Sequence, residues 1–329
     1  MPTFNELKQM QGLPRHLKVR KTELRIQEWV EAHEGRVSIS FSGGIDSTVL
    51  VAIARRLYPN LECVFSNTGL EMPEIVEFVR TFPNVKEVRP EKSFKNVIEE
   101  YGYPVVSKKV SRFISDCQNP SEKNVDTRNL RLTGISSVTQ PGKLQKSMMI
   151  PKKWKFLIDA PFKVSDKCCD WIKKKPIEKY LKETGMRPMT AEMAADSKRR
   201  ESTYLQTGCN NFGGHYPKSM PMGFWTRQDV LGYIKEFNLP YCSVYGDIVY
   251  NPETKTLETT KEQRTGCMFC MFGVHLEKHP NRFERMYFSH PKHYAVCMNL
   301  GVGRVLDHIG VSHVPLIMED GTIVYGRAV

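Results

Sequence analysis

The sequence has no long apolar run. None of its stretches approaches the roughly 18 consecutive apolar residues that a transmembrane helix needs. Its opening segment, MPTFNELKQMQGLPRHLKVRK, lacks the apolar core of a secretory signal peptide. We therefore expect a cytoplasmic protein that has no membrane partner.

The sequence also lacks the signs of a disulfide framework. Its nine cysteines are an odd number, and no secretion signal accompanies them. In such a chain, cysteines serve metal binding or redox chemistry more often than disulfide formation. The Walker-type pattern G-x-x-x-x-G-K-[ST] is absent as well, so any phosphate loop must be of another type.

Acidic residues are too few to balance the basic ones. The chain has 48 Lys and Arg against 36 Asp and Glu, which gives a net charge of +12. Residues 141–200 hold 16 Lys and Arg and 7 Asp and Glu, so this segment alone carries +9. Such a surplus favours a polyanionic ligand, either a nucleotide or a nucleic acid. A solvated basic face is the alternative.

Strand and helix patterns alternate along much of the chain. The sequence predicts strands at 37–41, 61–66 and 85–90, each followed by a helix, and a later helix that ends at Gly185 before a strand at 187–194. Short connections between such elements indicate a parallel α/β sheet with right-handed crossovers. The expected domains are an N-terminal helical segment at 1–35, an α/β domain at 36–245 with a basic insertion at about 105–165, and a Cys-rich C-terminal region at 246–329.

A glycine-rich loop with the sequence SGGIDS, residues 42–47, joins the first predicted strand to the next helix. Glycines let the backbone turn tightly and approach an anion closely. The start of the helix offers unpaired N–H groups and the positive end of the helix dipole, and Ser42 and Ser47 add hydroxyl donors. Asp46 cannot itself favour phosphate, so we expect it to hold Mg²⁺ or to brace the loop.

This loop resembles the pyrophosphate loop (PP-loop) of the N-type ATP pyrophosphatases. Further motifs resemble the phosphoadenylyl-sulfate (PAPS) and adenylyl-sulfate reductase family of that superfamily, and they are, in order, Ser66-Asn67-Thr68-Gly69, Tyr101-Gly102-Tyr103-Pro104, Ser197-x-x-Arg200 and Trp225-Thr226-x-x-Asp229-Val230. The likeness runs from about residue 37 to residue 275, with a departure at Ala191, where the family usually has Gly. It implies an adenine nucleotide alpha-hydrolase-like fold, a doubly wound parallel α/β sheet with helices on both faces, followed by the Cys-rich segment.

The resemblance also implies a nucleotide site with Mg²⁺. Asp46, Ser47 and Arg200 are its expected catalytic residues. The residues expected to bind ATP or a sulfonucleotide are Ser40, Phe41, Ser42, Gly43, Gly44, Asp46, Ser47, Asn67, Thr68, Gly69, Lys174 and Ser197.

Four cysteines form a pattern of their own. Cys168-Cys169 is followed much later by Cys267-x-x-Cys270, and a CxxC pair is a moderate signal for metal or redox work. Together they resemble the CC…CxxC set that holds a [4Fe–4S] cluster in the adenylyl-sulfate reductase branch, and four thiolates are the ligand count of such a cluster. Structural zinc on the same sulfurs and unligated buried thiols are the alternatives.

One motif of the family's reductases is missing. These enzymes carry a nucleophilic Cys in a Glu-Cys-Gly-Leu-His type motif near the C-terminus, and the sequence has no cysteine after Cys297. Without that thiolate, sulfonucleotide reduction lacks its first step. Other members of the superfamily, among them DNA phosphorothioation and related phage-defence proteins and tRNA thiolases, adenylylate an acceptor for sulfur transfer, and several combine a PP-loop with cluster-binding cysteines.

We therefore expect an ATP pyrophosphatase-type enzyme that adenylylates a nucleic acid for sulfur transfer, by DNA phosphorothioation or RNA thiolation. A sulfonucleotide reductase and a non-catalytic nucleotide-binding subunit are the alternatives. The expected partners are an adenine nucleotide, the nucleic acid acceptor and a cysteine desulfurase or another sulfur donor, and the hypothesis allows a homodimer. Cys117 and Cys209 are spare thiols to test as persulfide carriers, although packing is the favoured role of Cys209.

Overall fold

The computed structural model describes residues 1–214 and 216–326. They form two compact units. The first comprises residues 1–67, 71–89 and 176–265, and the second comprises residues 68–70, 90–175 and the described residues from 266 onward.

The strands of the described chain are, in order, β1 (Val37–Ser40), β2 (Cys63–Ser66), β3 (Val85–Val88), β4 (Val105–Val106), β5 (Arg187–Met189), β6 (Asn210–Asn211), β7 (Lys218–Ser219), β8 (Ile248–Asn251), β9 (Thr256–Thr259), β10 (Met271–Phe272), β11 (Leu316–Ile317) and β12 (Ile323–Val324). The α-helices are α1 (Phe4–Gln11), α2 (Arg15–Ala32), α3 (Ile45–Leu57), α4 (Pro73–Arg80), α5 (Phe94–Tyr101), α6 (Lys108–Gln118), α7 (Val125–Thr133), α8 (Lys175–Thr184), α9 (Lys198–Thr207), α10 (Arg227–Phe237), α11 (Arg282–Ser289), α12 (Pro291–Asn299) and α13 (Val302–His308).

The first unit is built on a six-stranded sheet with the order β3-β2-β1-β5-β7-β6. All neighbouring strands run parallel except β6 and β7, which pair antiparallel at the edge. The chain leaves β1 towards β2 and β3 and later returns to the other side of β1 with β5, and helices cover both faces of the sheet. The expected doubly wound α/β fold is thereby confirmed, with an antiparallel edge strand that the sequence did not predict.

Burial explains why the central strand and its helix form where they do. The first three residues of β1 are buried, as expected for a strand with a neighbour on each side and helices over both faces. In α3 eight residues are buried, among them Val49, Leu50 and Ile53, because the helix packs on the sheet and also contacts α2 and α10. The N-terminal helix α2 inserts Ile26 and Trp29 into this same core.

The second unit is held by pairings between distant parts of the chain. Strand β4 pairs parallel with β10, with Val105 opposite Met271, and Tyr103 bridges Val164. Helix α6 packs against α7 and against the helical turns at 152–159, and α11, α12 and α13 pack in succession. Most of the basic insertion expected at 105–165 is therefore helical and part of a packed unit.

A buried carboxylate ties the end of the described chain to α11. Glu284 is fully buried and accepts hydrogen bonds from the Asn281 N–H at 2.7 Å, the Ser312 hydroxyl at 2.8 Å and the Gly326 N–H at 2.9 Å, and it contacts His279 Nδ1 at 2.7 Å. Burial alone would raise the pKa of Glu284, but these hydrogen bonds outweigh it and hold the pKa below the usual value. The ionised carboxylate is therefore a structural element of this unit.

The compact units do not coincide with the three expected segments. The N-terminal helices belong to the first unit because α2 packs on α3, and residues 246–265 belong there because β9 packs on α10. Residues 90–175 group instead with the chain from 266 onward. Within the described ranges, no helix has the combined length and apolar character that crossing a membrane requires.

Candidate functional site

The SGGIDS loop leaves the carboxyl end of β1, between β2 on one side and β5 on the other. The strands that follow β1 in the chain lie on one side of it, and β5 lies on its other side. Doubly wound sheets bind ligands in the crevice at such a point, which the carboxyl ends of β1 and β5 border here. The segment after β5 contains Asp196 and Ser197. The fold therefore brings two sequence-predicted motifs to one edge of the first unit's sheet.

The loop is packed tightly against α4. Gly43 adopts φ +70°, and a Cβ at this position would lie 2.7 Å from Val79 Cγ2 and 2.9 Å from Ile75 Cγ2. Only glycine combines this backbone conformation with so close an approach. The Ser42 N–H donates to Ser47 Oγ at 3.2 Å, and Ser47 Oγ donates to the Gly44 carbonyl at 2.8 Å, so Ser47 fixes the shape of the loop.

A tyrosine from a distant part of the chain contacts the first helical residue after the glycines. The Ile45 N–H donates to Tyr245 Oη at 3.3 Å, and Tyr245 Oη lies 2.9 Å from Thr265 Oγ1. Tyr245 is only 2% exposed, and burial raises its pKa, so the phenol stays neutral at physiological pH. Its hydroxyl is one of the polar groups closest to Gly44, 3.2 Å from where a Cβ would stand.

Asp46 is the carboxylate within the loop. It is half-buried, and Arg227 Nη1 donates to its Oδ1 at 3.3 Å, while Arg227 Nη2 donates to the Gln263 carbonyl at 2.7 Å. Burial raises the pKa of Asp46 and the charge of Asp196 raises it further, whereas Arg227 and Arg264 oppose the rise. Two carboxylates and two guanidinium groups thus act on one another electrostatically at this edge of the sheet.

Asp196 pairs with two guanidinium groups, one of which is Arg264. Its side chain is 5% exposed, and it accepts from Arg264 Nη2 at 2.9 Å and pairs with Arg200. Ser197 begins α9 and its hydroxyl accepts the Arg200 N–H at 3.3 Å. The expected catalytic residue Arg200 is therefore oriented by the carboxylate and by the helix start that precede it.

Five other expected nucleotide-binding residues differ in how accessible they are. Ser40 ends β1 and is half-buried, whereas the Phe41 side chain is buried against Phe78 and Phe82, which leaves only its backbone to meet a ligand. Asn67 is buried and donates to Glu87 Oε1 at 2.9 Å.

Thr68 and Gly69 belong to the second unit. The Thr68 hydroxyl accepts the Leu70 N–H at 3.1 Å, and Gly69 adopts φ +74° with no atom within 4 Å of the point that a Cβ would occupy. The glycine at this turn is therefore explained by its backbone conformation, because a side chain would meet no crowding there.

The four patterned cysteines line one cavity of the second unit. The cavity encloses about 300 Å³ of space, part of it open to solvent. Its walls are Leu70, Phe94, Pro104, Cys168, Cys169, Ile172, Lys173, Cys267, Cys270 and Phe272. The structure therefore brings the four cysteines to one cavity, and the remaining wall is apolar apart from Lys173.

Long-range pairing positions the two cysteine pairs. The bridge between Tyr103 and Val164 fixes the chain just before Cys168, and β10, which pairs with β4, begins directly after Cys270. Burial raises the pKa of Cys168, with further increases from the other three thiols, and burial also raises the pKa of Cys270. Among the described residues, no group of three or more His, Cys, Asp or Glu side chains is arranged to hold a single metal ion.

The lysines after the cysteine pair have different surroundings. Residues Asp170–Lys174 form a π-helical turn, a feature that is frequent at functional sites. Lys173 lines the cavity, whereas the expected nucleotide ligand Lys174 is 54% exposed and pairs with Asp170 at 2.6 Å. Lys175 lies over the Trp171 ring at 2.9 Å. Of the three lysines, Lys173 is the one that the structure brings to the thiols.

Every cysteine outside the cavity is buried. Burial raises the pKa of each of these thiols, to about 11 for Cys63 and Cys209. The others with a raised pKa are Cys117, Cys242 and Cys297. Packing therefore accounts for Cys117 and Cys209 better than a role as persulfide carriers, because a thiol that attacks or carries sulfur must ionise and be accessible.

Four residues of the site carried no recognised signal in the sequence. Arg227 and Tyr245 contact the loop, Arg264 pairs with Asp196, and Thr265 contacts the Tyr245 hydroxyl. Arg227 was the easiest to find, because it directly follows the Trp-Thr motif as the first residue of α10. Tyr245 ends a short 3-10 turn at Ser243–Tyr245, and Arg264 and Thr265 lie in an irregular segment. Composition gives no indication of the neighbours of these three residues.

Comparison with known proteins gives three findings. The family model described as phosphoadenosine phosphosulfate reductase domain matches residues 36–119 and 123–271. An uncharacterized protein of Methanocaldococcus jannaschii is 35% identical over 72 residues, which cover 21% of this chain and 18% of that protein. The crystal structure of a phosphoadenylyl-sulfate (PAPS) reductase from Candida auris in a phosphate complex is similar with a TM-score of 0.39 and 12% identity, covering 74% of this chain and 91% of that one.

Proposed function

Because the chain belongs to the phosphoadenosine phosphosulfate reductase domain family, we propose that it is an ATP pyrophosphatase-type enzyme that adenylylates an acceptor for sulfur transfer. The observation that carries the proposal is the half-buried Asp46 in the first turn of the phosphate-loop helix. A carboxylate at that place repels phosphate unless a cation lies between them. Mg-ATP brings both charges together, and Mg²⁺ is commonly held by one or two carboxylates and the phosphates of its substrate.

The residues of the first unit have separate tasks in this reaction. The loop N–H groups and the Ser42 hydroxyl hold the β- and γ-phosphates at the start of α3. Asp46 is the residue that would hold Mg²⁺, which supplies charge neutralisation of the leaving pyrophosphate. Arg200 and Arg264, oriented by Asp196, supply further positive charge to the phosphates.

The bond changes are those of adenylyl transfer. An acceptor oxygen attacks the α-phosphorus, the bond from this phosphorus to the oxygen that bridges to the β-phosphate breaks, and pyrophosphate leaves with that oxygen. A nucleobase oxygen becomes an adenylyl ester as the ring N–H proton passes to water, whereas a DNA phosphate, which is already ionised, becomes a mixed anhydride with AMP. Hydrosulfide then attacks the activated carbon or phosphorus, and AMP leaves with the former acceptor oxygen. A cysteine desulfurase supplies this sulfur as a persulfide, from which a thiol reductant releases it.

Sulfonucleotide reduction is the second candidate, and the thiols argue against it. Its first step needs an accessible thiolate outside any metal site. Within the described residues, all cysteines outside the cavity are buried with raised pKa values, including Cys297, which is fully buried in α12. Adenylylation requires no such thiolate from this chain.

The cysteine cavity fits a [4Fe–4S] cluster in donor chemistry. Four cysteines are the usual ligands of such a cluster, and an apolar wall shields it from water. Four thiolates around one zinc ion, each bonded at about 2.3 Å, would have to crowd together more closely than ligands of a four-iron cluster. Structural zinc on the same four sulfurs is the alternative, and metal analysis of the purified protein decides between the two. A cluster there would supply a centre for sulfur or electron transfer.

The distribution of charge supports a nucleic acid acceptor. The second unit holds 24 Lys and Arg and 14 Asp and Glu, or +10, whereas the first holds 24 and 22, or +2. Exposed cations on α6 include Lys108, Lys109 and Arg112, and Lys152 and Lys153 follow on the segment that packs against α6. Phe156, 44% exposed, lies three residues after Lys153 in the same segment and offers a ring on which a base can stack.

The test begins with protein purified without oxygen and incubated with Mg-ATP and candidate acceptors. We expect acceptor-dependent release of pyrophosphate and adenylylation of tRNA or DNA, and no sulfite from adenylyl sulfate or PAPS with thioredoxin. Ser42→Ala and Asp46→Ala should lower pyrophosphate release at least about tenfold, the scale of losing one hydrogen bond to a charged group. Ser93→Ala, which removes a helix-capping serine in the second unit, is the matched control.

Each outcome separates the candidates. Wild-type rates in both loop variants would refute the pyrophosphatase proposal, and sulfite release would establish a reductase. Nucleotide binding without turnover under every acceptor would indicate a non-catalytic subunit.

The metal is tested in the same preparation. We expect four irons and four sulfides per chain, lost in Cys168→Ser and Cys267→Ser and retained in Cys117→Ser, whose buried thiol lies outside the cavity. One zinc per chain in place of iron would contradict the cluster.

A further inference from the structure

Hydroxyl groups of the protein occupy the N–H groups of the phosphate loop. The Ser42 N–H donates to Ser47 Oγ at 3.2 Å, and the Gly44 N–H donates to Ser42 Oγ at 3.4 Å. The Ile45 N–H donates to Tyr245 Oη at 3.3 Å. Serine hydroxyls within the loop can rotate towards a bound anion and remain in place. Tyr245 comes from outside the loop, so its hydroxyl competes for the same N–H.

The position of the Tyr245 hydroxyl is well defined. Thr265 Oγ1 lies 2.9 Å from it, so the phenol has a hydrogen-bond partner for its own proton while it accepts from the Ile45 N–H. The ring is 2% exposed, and the backbone of Ile45 belongs to a residue that is 1% exposed. Without the tyrosine hydroxyl, this N–H would therefore lack a protein acceptor in the unliganded loop.

We propose that Tyr245 is a positioning residue whose hydroxyl holds the place of a phosphate oxygen at the Ile45 N–H. Nucleotide binding then exchanges one acceptor for another. This inference rests on the proposed function, because it requires the phosphates of ATP to bind at the loop.

The exchange is balanced in hydrogen bonds. The Ile45 N–H transfers from Tyr245 Oη to a phosphate oxygen, and the phenol keeps its bond with Thr265. No bond of the polypeptide breaks and no proton leaves the phenol, which burial keeps neutral. The tyrosine thus preserves the shape of an anion site whose buried N–H would otherwise lack an acceptor, and it lowers the affinity of that site for the anion.

Tyr245→Phe separates this role from a structural one. Without the hydroxyl, the unliganded loop has an unsatisfied N–H, which a bound phosphate satisfies. We expect the dissociation constant for pyrophosphate and for Mg-ATP, measured by calorimetry, to fall about three- to tenfold, the range that one net hydrogen bond provides. The melting temperature without ligand should fall, and the rise in melting temperature on adding pyrophosphate should exceed that of the wild type.

Two further variants complete the test. Tyr241→Phe removes a tyrosine hydroxyl from the same segment, at a residue that packs against the core, and should leave both affinities unchanged. Thr265→Val removes the partner of the Tyr245 hydroxyl while keeping the side-chain shape, and should tighten pyrophosphate binding by a smaller factor. If Tyr245→Phe does not fold, pyrophosphate binding by Thr265→Val tests the inference in its place.

The outcomes distinguish this inference from the proposed function. Unchanged or weaker pyrophosphate binding in Tyr245→Phe would overturn it, and weaker binding would mean that the hydroxyl donates directly to phosphate. If Tyr245→Phe does not fold, unchanged or weaker binding in Thr265→Val overturns it in the same way. A wild-type protein that binds neither pyrophosphate nor ATP would refute the proposed function itself, and the inference with it.

Discussion

Gly43 and Gly44 are neighbours in the phosphate loop, but added methyl groups at the two positions meet different surroundings. A Cβ at Gly43 would lie 2.7 Å from Val79 Cγ2 and 2.9 Å from Ile75 Cγ2, and φ is +70°. A Cβ at Gly44 would lie 3.2 Å from Tyr245 Oη and 3.3 Å from Ser42 Oγ, with an ordinary φ of −77°. We therefore expect Gly43→Ala to be a stability defect and Gly44→Ala to be a binding defect.

The magnitudes follow from these contacts. A residue other than glycine in the left-handed region loses about 1–2 kcal/mol, and forcing a methyl between two buried side chains loses about 1–3 kcal/mol. Gly43→Ala should thus lower the free energy of unfolding by about 2–5 kcal/mol. Gly44 is the N-cap residue of α3, where alanine is less favourable than glycine by about 0.5–1 kcal/mol. Its methyl group would crowd the hydroxyls that face the anion, and we expect pyrophosphate affinity to fall at least about tenfold.

Urea unfolding followed by circular dichroism measures the first effect, with hydrogen exchange of α3 as the local readout. Calorimetric titration with pyrophosphate measures the second. The reasoning is refuted if Gly43→Ala is as stable as the wild type. It is also refuted if Gly44→Ala binds pyrophosphate normally, since the methyl would then have met open space and not the anion site.

Three further predictions concern charges. In Asp46→Asn we expect a melting temperature equal to or higher than that of the wild type together with loss of Mg²⁺-dependent pyrophosphate release, because burial raises the folded-state pKa of Asp46 and its ionised form therefore reduces stability at pH 7. A clearly lower melting temperature would show that the pairing with Arg227 dominates. In Glu284→Gln we expect about 2–4 kcal/mol lower stability near pH 7 by urea unfolding, because charged hydrogen bonds are lost. Since the folded pKa of Glu284 is lowered, this difference should be complete above its ordinary pKa of 4.5 and disappear as pH falls through the folded value, and a constant difference would contradict it. The combined K108Q, K109Q and R112Q variant should reduce the slope of log affinity for nucleic acid against log salt by about 2–3, as measured by fluorescence anisotropy, and an unchanged slope would exclude α6 from the interface.

Much of the sheet was predictable because its signals are local. The expected strands at 37–41, 61–66 and 85–90 match β1, β2 and β3, and the capping box of Thr226 and Asp229 is present at the start of α10. The strand expected at 187–194 ends at Met189, whose partner β7 has only two residues, so the pairing that would extend the strand is missing. Apolar alternation shows where a chain segment can pair, whereas the length of the pairing depends on a neighbour far away in sequence.

The second unit shows the limit of such prediction. Its strand pair joins Val105 to Met271 and its bridge joins Tyr103 to Val164, and neither element has more than two residues in regular pairing. Strands this short leave no periodicity to detect. The four cysteines could nevertheless be grouped from the sequence, because their CC…CxxC pattern resembles a known cluster-binding set.

The candidate nucleotide site combines a local sequence signal with contacts that form only on folding. Its loop is a contiguous motif, but Arg227 and Tyr245 contact the loop only through folding, at separations that no spacing rule covers, and Arg264 reaches the neighbouring Asp196 in the same way. These contacts leave two groups of the loop incompletely satisfied. Asp46 has a raised pKa and so lacks full compensation for its charge, and the Ile45 N–H is satisfied by a hydroxyl where a charged oxygen would bind more strongly. A cation satisfies the first group and an anion satisfies the second. Neither a free nucleotide nor free Mg²⁺ does both, so the proposed site should bind the Mg-ATP complex more tightly than either component alone, and the preference should be smaller in Asp46→Asn than in Tyr245→Phe.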